Sequence, residues 1–155
     1  MKEEYNWLFH EHSVSEEMLE ECIEQADLNL WSDCEATFGA LMSMLKKHMA
    51  MEEEVLFPAY ERHTDLPRNP VEALRSDHDQ LVQLFCDIDE VLKTRDSEHL
   101  VDAIKPVVVA MNHHHDKEEN FFLPMAGHLL LPYRDSIIEE MKNFDPSTAS
   151  RQWPI

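Results

Sequence analysis

The sequence predicts an all-α protein: an up-down-up-down four-helix bundle built as a duplicated helical hairpin, with a short C-terminal helix. Three observations predict it. Only two of the 155 residues are glycine, so tight glycine turns of the β-hairpin kind are scarce. Apolar residues recur at helical spacing through most of the chain. A shift of 66 positions lays the histidines, glutamates and prolines of one half onto those of the other.

The first helix carries the stripe Leu8, His12, Ser15, Leu19, Cys22, Ile23 and Ala26. Residues 31–35 (WSDCE) supply a turn, with Ser32 and Glu35 at capping-box spacing. The second helix presents Phe38, Leu41, Leu45, His48, Glu52 and Leu56 on one side. Pro58 has no N–H to donate and is expected to end or bend it. Residues 63–70 (HTDLPRNP) form the clearest loop, and Asn69-Pro70 reads as the N-cap and first residue of a third helix. Leu74, His78, Leu81, Phe85 and Ile88 line its inner face. Residues 93–98 (KTRDSE) form a second short turn with Ser97 as the candidate cap. The fourth helix runs through 107–122 (VVVAMNHHHDKEENFF), with bends expected at Pro106 and Pro124. A short fifth helix over 133–144 precedes the tail. The bundle is expected over about residues 8–128, the C-terminal helix and tail over about 132–155, and 1–155 as a single domain.

Charge excludes several functions. The formal net charge is −19, from 32 acidic and 13 basic residues, and such a surface repels nucleic acid and anionic membranes. No apolar run reaches the roughly 18 residues of a membrane span, and "MKEEYNWLFHEH" lacks the apolar core of a signal peptide. The expectation is a cytoplasmic protein. Cys22, Cys34 and Cys86 are odd in number and without CxxC spacing, so they read as reduced thiols. The nine methionines read as adaptable core filler. No nucleophile–base pair or phosphate-binding loop is evident.

The ten histidines are the unusual feature. The 66-residue shift lays His12 on His78, His48 on His114, Glu52 on Glu118 and Pro58 on Pro124. It also lays Leu8 on Leu74 and Glu11 on Asp77. Within each half the two histidines are 36 residues apart, centred on a short turn. At 1.5 Å per residue each histidine sits about 27 Å along its helix from that turn, so all four meet in one layer. Glu52 and Glu118 lie one helical turn beyond His48 and His114, on the same faces. Burying two carboxylates among four imidazoles is costly without compensation. Two divalent cations supply it, since these donors suit iron, manganese or zinc. Each ion takes two histidines, the glutamates bridge, and positions stay open for water or a small diatomic ligand.

His10 lies off the apolar stripe and breaks the register, so His12 is preferred. His113 and His115 point about 100° to either side of His114 and read as solvent-facing or supporting. His63, His99 and His128 are left outside the site. Glu53 and Glu119 either hold ligating imidazoles by hydrogen bonds or replace their neighbours as bridges.

The paired segments "HMAMEE…FP" and "HHDKEE…LP", with single histidines on the first and third helices, resemble the hemerythrin-like, or HHE cation-binding, domains. The resemblance covers about residues 8–128. It implies a four-helix bundle around a non-haem di-iron centre, with His12, His48, His78 and His114 as histidine ligands and Glu52 and Glu118 as bridging carboxylates. It further implies binding or sensing of oxygen, nitric oxide or iron. Oxygen-carrying members place a second histidine four residues after the third-helix one, where this chain has Val82. They place an aspartate five residues after the fourth-helix histidine, where this chain has Glu119. The departure implies a more symmetric four-histidine site, and weakens the case for reversible oxygen carriage. Two other classes stand beside this one: a ferritin-like di-iron oxidase and a metal-stapled interaction module. The oxidase class uses Glu-x-x-His motifs, and the nearest feature here is Asp96-x-x-His99.

Overall fold

The computed structural model describes residues 6–65 and 69–155. Residues 1–5 and Leu66, Pro67 and Arg68 of the expected loop lie outside the described residues, as does the side chain of the candidate cap Asn69. Among the described residues every regular element is helical. Helices α1 (Asn6–Asp27) and α2 (Trp31–Met51) form one hairpin, and α4 (Asn69–Leu92) and α5 (Ser97–Lys117) form the other. The hairpins pack side by side, with α1 against α5. Two short helices, α3 (Phe57–His63) and α6 (Leu123–Leu129), prolong α2 and α5, and α7 (Arg134–Lys142) folds back against the bundle. This is the predicted up-down-up-down bundle with its short C-terminal helix. No described helix is long and apolar enough to cross a membrane.

The helices continue past Pro58, Pro106 and Pro124. Pro58 and Pro124 do not end their rods. Each rod widens into one π turn, Glu52–Leu56 and Glu118–Phe122, and then resumes as α-helix. The Phe57 N–H donates to the Glu52 carbonyl and the Leu123 N–H to the Glu118 carbonyl, five residues back. The widened turn accommodates a ring that would clash with the carbonyl four residues earlier in a regular helix. Helix α5 likewise runs through Pro106.

Two of the three expected caps are corrected. The Ser32–Glu35 capping box does not form, because Leu30 precedes α2 and makes no side-chain cap bond. Asn29 takes the left-handed conformation (φ 59°), which suits asparagine at a helix C-terminus. The Leu30 N–H then donates to the Gln25 carbonyl at 2.8 Å. This closure brings the chain straight into α2, with Ser32 already inside the helix. In the second turn Asp96, not Ser97, is the cap: its extended backbone lets the carboxylate accept from the His99 N–H at 3.1 Å.

The core falls into two apolar clusters. The larger lies toward the short turns and includes Leu19, Phe38, Leu45, Phe85, Ile104 and Met111. The other lies toward α3, α6 and α7 and includes Leu8, Leu56, Phe57, Leu74, Phe122 and Met141. Between them sits a layer of buried polar side chains. The tail after α7 is also built in: Trp153 packs against the larger cluster, and Lys46 Nζ donates to the Ile155 carbonyl at 2.9 Å.

Candidate metal centre

The buried polar layer contains His12, His48, Glu52, His78, His114 and Glu118, all at most 5% exposed. Each falls on the inward stripe of its helix, and the shared level follows from the two hairpins' matched lengths. The π turns begin at Glu52 and Glu118, so the helices widen where the carboxylates enter the layer. His10 is exposed and takes no part.

The four imidazoles are held alike. His12 Nδ1 is 2.9 Å from Glu119, His48 Nδ1 2.7 Å from Glu11, His78 Nδ1 2.8 Å from Glu53, and His114 Nδ1 3.1 Å from Asp77. An ionised carboxylate only accepts, so in each case Nδ1–H donates and Nε2 faces inward. The Nε2 atoms then meet in pairs, 3.2 Å apart for His12 and His48 and 3.2 Å for His78 and His114. Nε2 of His48 and His78 lies 3.1 and 3.5 Å from Glu52, while His12 and His114 lie 3.3 and 3.2 Å from Glu118. These approaches are close but misaligned: both oxygens of Glu52 and of Glu118 lack a hydrogen-bond partner.

Electrostatics show what the layer wants. Burial alone would depress the His48 pKa, but Glu52 and Glu11 outweigh it and raise it to about 10. Burial likewise opposes, and Asp77 and Glu118 overcome, a rise at His114 to about 10. His78 is raised against burial by Glu52 and Glu53. Burial works to raise Glu118, yet the His114 and His12 imidazoles beside it hold its carboxyl below the usual range. With Nδ1 protons committed outward, a neutral ring would point its Nε2 lone pair at its neighbour and at two carboxylates, so metal-free His48 and His114 draw protons onto Nε2. Leaving such a buried charge uncompensated costs on the order of several kcal/mol. The layer is short of positive charge at its centre.

Donor atoms of Glu52, His78, His114 and Glu118 lie within 4.8 Å of one another, and so do those of His12, His48 and Glu118. Two three- or four-donor groups sharing a carboxylate fit a pair of first-row divalent ions. The orphaned carboxylate oxygens are the independent sign that the set suits them.

Sequence reasoning left Glu53 and Glu119 between two roles; both accept from imidazoles. It missed Glu11 and Asp77 as imidazole holders, although each immediately precedes a histidine of the first or third helix and the two correspond at the 66-residue register. His113 is exposed, but His115 is only 8% exposed and stacks flat on His12, centroids 3.8 Å apart and 7° between planes. Burial and the neighbouring His12 push its pKa down to about 2, so the ring is neutral. Its register counterpart is Met49, so only half the site has this stack. The lone Asp-x-x-His pair is occupied elsewhere, Asp96 capping α5 at the surface.

No curated protein and no solved structure matches the chain. The family model of the hemerythrin HHE cation-binding domain matches residues 4–126, and a second match covers 69–145. The second match starts at the first residue of α4, where the second hairpin begins. With the family's pattern spanning most of the sequence, the chain belongs to the hemerythrin HHE cation-binding domain family.

Proposed function

We propose that the protein holds two iron ions in this layer and uses them to bind or sense a small ligand: oxygen, nitric oxide or iron itself. His12 and His48 would hold one ion and His78 and His114 the other, with Glu52 and Glu118 bridging. Zinc or manganese would suit the same donors. The observation that carries this reading is the pair of fully buried glutamates with no hydrogen-bond partner, facing four inward Nε2 atoms.

When bound, iron would supply a redox-active Lewis acid with positions open to a small molecule. The chain supplies the rest. Glu11, Glu53, Asp77 and Glu119 fix each imidazole's tautomer and strengthen its Nε2 as a donor. The two apolar clusters exclude bulk water from above and below. Beside the histidines, on the side of the larger cluster, a cavity of about 10 Å³ is walled by Leu45, Leu81, Phe85, Met111 and His115. That is room for about one water-sized molecule. The apolar walls favour such a ligand over anions or larger substrates.

Protein loaded anaerobically with ferrous iron is expected to carry about two irons per chain. Its optical spectrum should change on adding oxygen or nitric oxide. A protein that takes up no metal on ferrous reconstitution would overturn the reading. The charge of −19 and the free Cys22, Cys34 and Cys86 support a reducing, cytoplasmic setting without nucleic acid partners.

A further inference from the structure

The inner layer follows the duplication, and so do the four carboxylates behind the imidazoles. Glu11 corresponds to Asp77 and Glu53 to Glu119 at the 66-residue register. What lies behind those carboxylates does not follow it. Arg151 grips Glu53, with Nε 3.0 and 3.2 Å from its two oxygens and Nη2 2.9 Å from Oε1. Lys117 Nζ lies 3.0 and 3.1 Å from the two oxygens of Asp77. Among the described residues, neither Glu11 nor Glu119 has a lysine or arginine partner. Both cations therefore stand behind the same two histidines, His78 and His114.

The sequence explains the imbalance. Lys117 corresponds at the register to Met51, which is buried in the core. Arg151 belongs to the tail, outside the duplicated segments, and has no counterpart. The tail is anchored: the Ser150 N–H donates to Glu54 at 2.9 Å, Trp153 packs on the larger cluster, and Lys46 lies 5.7 Å over its ring. Arg151 is thus presented by a fixed strap, and a second contact to Asp79 at 2.7 Å holds its far end.

We infer that the two metal positions are unequal, the one at His78 and His114 being the weaker and filling second, because Arg151 and Lys117 neutralise the carboxylates that support its imidazoles. The inference rests on the metal-centre reading above. A carboxylate accepting from Nδ1–H pushes electron density into the ring and strengthens Nε2 toward a metal. A cation on that carboxylate draws the density back and adds positive charge beside a dication. Solvent does not level the two halves. The side chains of Glu53 and Asp77 are 14% and 19% exposed, against 34% and 30% for Glu119 and Glu11. Water screens the second pair without reversing its charge, whereas the first pair meets cations where screening is weaker. Arg151 and Lys117 act through other side chains and are positioning residues.

The test is an anaerobic titration of the full metal-free chain with cobalt(II). It is followed by absorption and by the paramagnetically shifted Nδ1–H resonances of histidines assigned by NMR. In the wild type, the first equivalent should shift the His12 and His48 protons and the second those of His78 and His114. Arg151→Gln should tighten the second step by ~10-fold, the scale of such supporting contacts, and leave the first unchanged. Arg151→Lys, which keeps the charge, should behave as wild type. A purely structural role for Arg151 makes the opposite prediction, a weaker second step in Arg151→Gln, and that result overturns the inference. Simultaneous filling of both positions, or His78 and His114 filling first, overturns it as well. If two cobalt ions bind equally, only the inequality falls; if neither cobalt nor ferrous iron binds, the metal reading falls with it.

Discussion

At the scale of single residues, the site is a problem of where protons reside. Each inward histidine commits Nδ1–H to a carboxylate, so any positive charge at the centre must come from protons on Nε2 or from metal. His48 and His114, raised to about 10, would take protons when metal is removed. Their folded pKa lies above the unfolded value of 6.5. Their contribution to stability is therefore present in full below pH 6.5 and lost as pH rises toward 10. Metal-free protein is expected to lose thermal stability across that window, while metal-loaded protein holds it; parallel melting curves for the two forms would contradict this. The same linkage predicts that metal uptake at pH 7 releases about two protons per chain, countable in a pH-stat. His12 and His10 separate cleanly as well. After ferrous reconstitution His12→Ala should hold less metal than the unaltered chain, whereas His10→Ala, at an exposed position, should hold as much; equal loss from both variants would refute the assignment.

At the scale of elements, the stripes and the register were legible because burial enforces them. Every inward residue expected on the second and third helices, from Phe38 to Leu56 and from Leu74 to Ile88, is buried. The ends of elements were harder to read, because adjacent residues offered the same chemistry. Asp96 and Ser97 are both good caps by type, and only the extended backbone at Asp96 decides between them. Asp96→Ala is thus expected to cost about 1 kcal/mol, or about 2–4 °C in Tm for a chain of this size. Ser97→Ala should change little, and the reverse order in thermal unfolding would reject the assignment. The π turns were illegible for a related reason. A proline after a helical stripe is compatible with a stop, a kink or a widened turn, and the choice depends on the packing of Val55, Leu56 and Phe57. Arg151 was hidden altogether, since contact between a tail and a residue 98 positions earlier leaves no periodic trace.

At the scale of the whole molecule, six ionisable side chains divide one bundle into two apolar ends of unequal security. The turn end is tied by two short connections, between Asp27 and Trp31 and between Leu92 and Ser97, and little loop-closure entropy opposes it. It also holds the larger cluster. The other end depends on α3, α6 and α7 closing over Leu8, Val71 and Leu74. It is joined to the turn end through a layer whose buried carboxylates need protons on the imidazoles, or metal, to balance them. A ligand that binds only the folded layer stabilises it by about 4 kcal/mol when present at a thousand times its dissociation constant. That gain falls mainly on the end that the layer secures. Chelation is therefore expected to raise amide exchange in α3, α6 and α7 and in the first turns of α1 and α4. Amides around Phe38, Phe85 and Ile104 should remain protected. Hydrogen exchange measured by mass spectrometry, with and without metal, makes the comparison directly. Uniform loss of protection, or loss confined to the turn end, would show that the layer does not hold the two ends together, because metal at the boundary of two unequal cores must act first on the weaker.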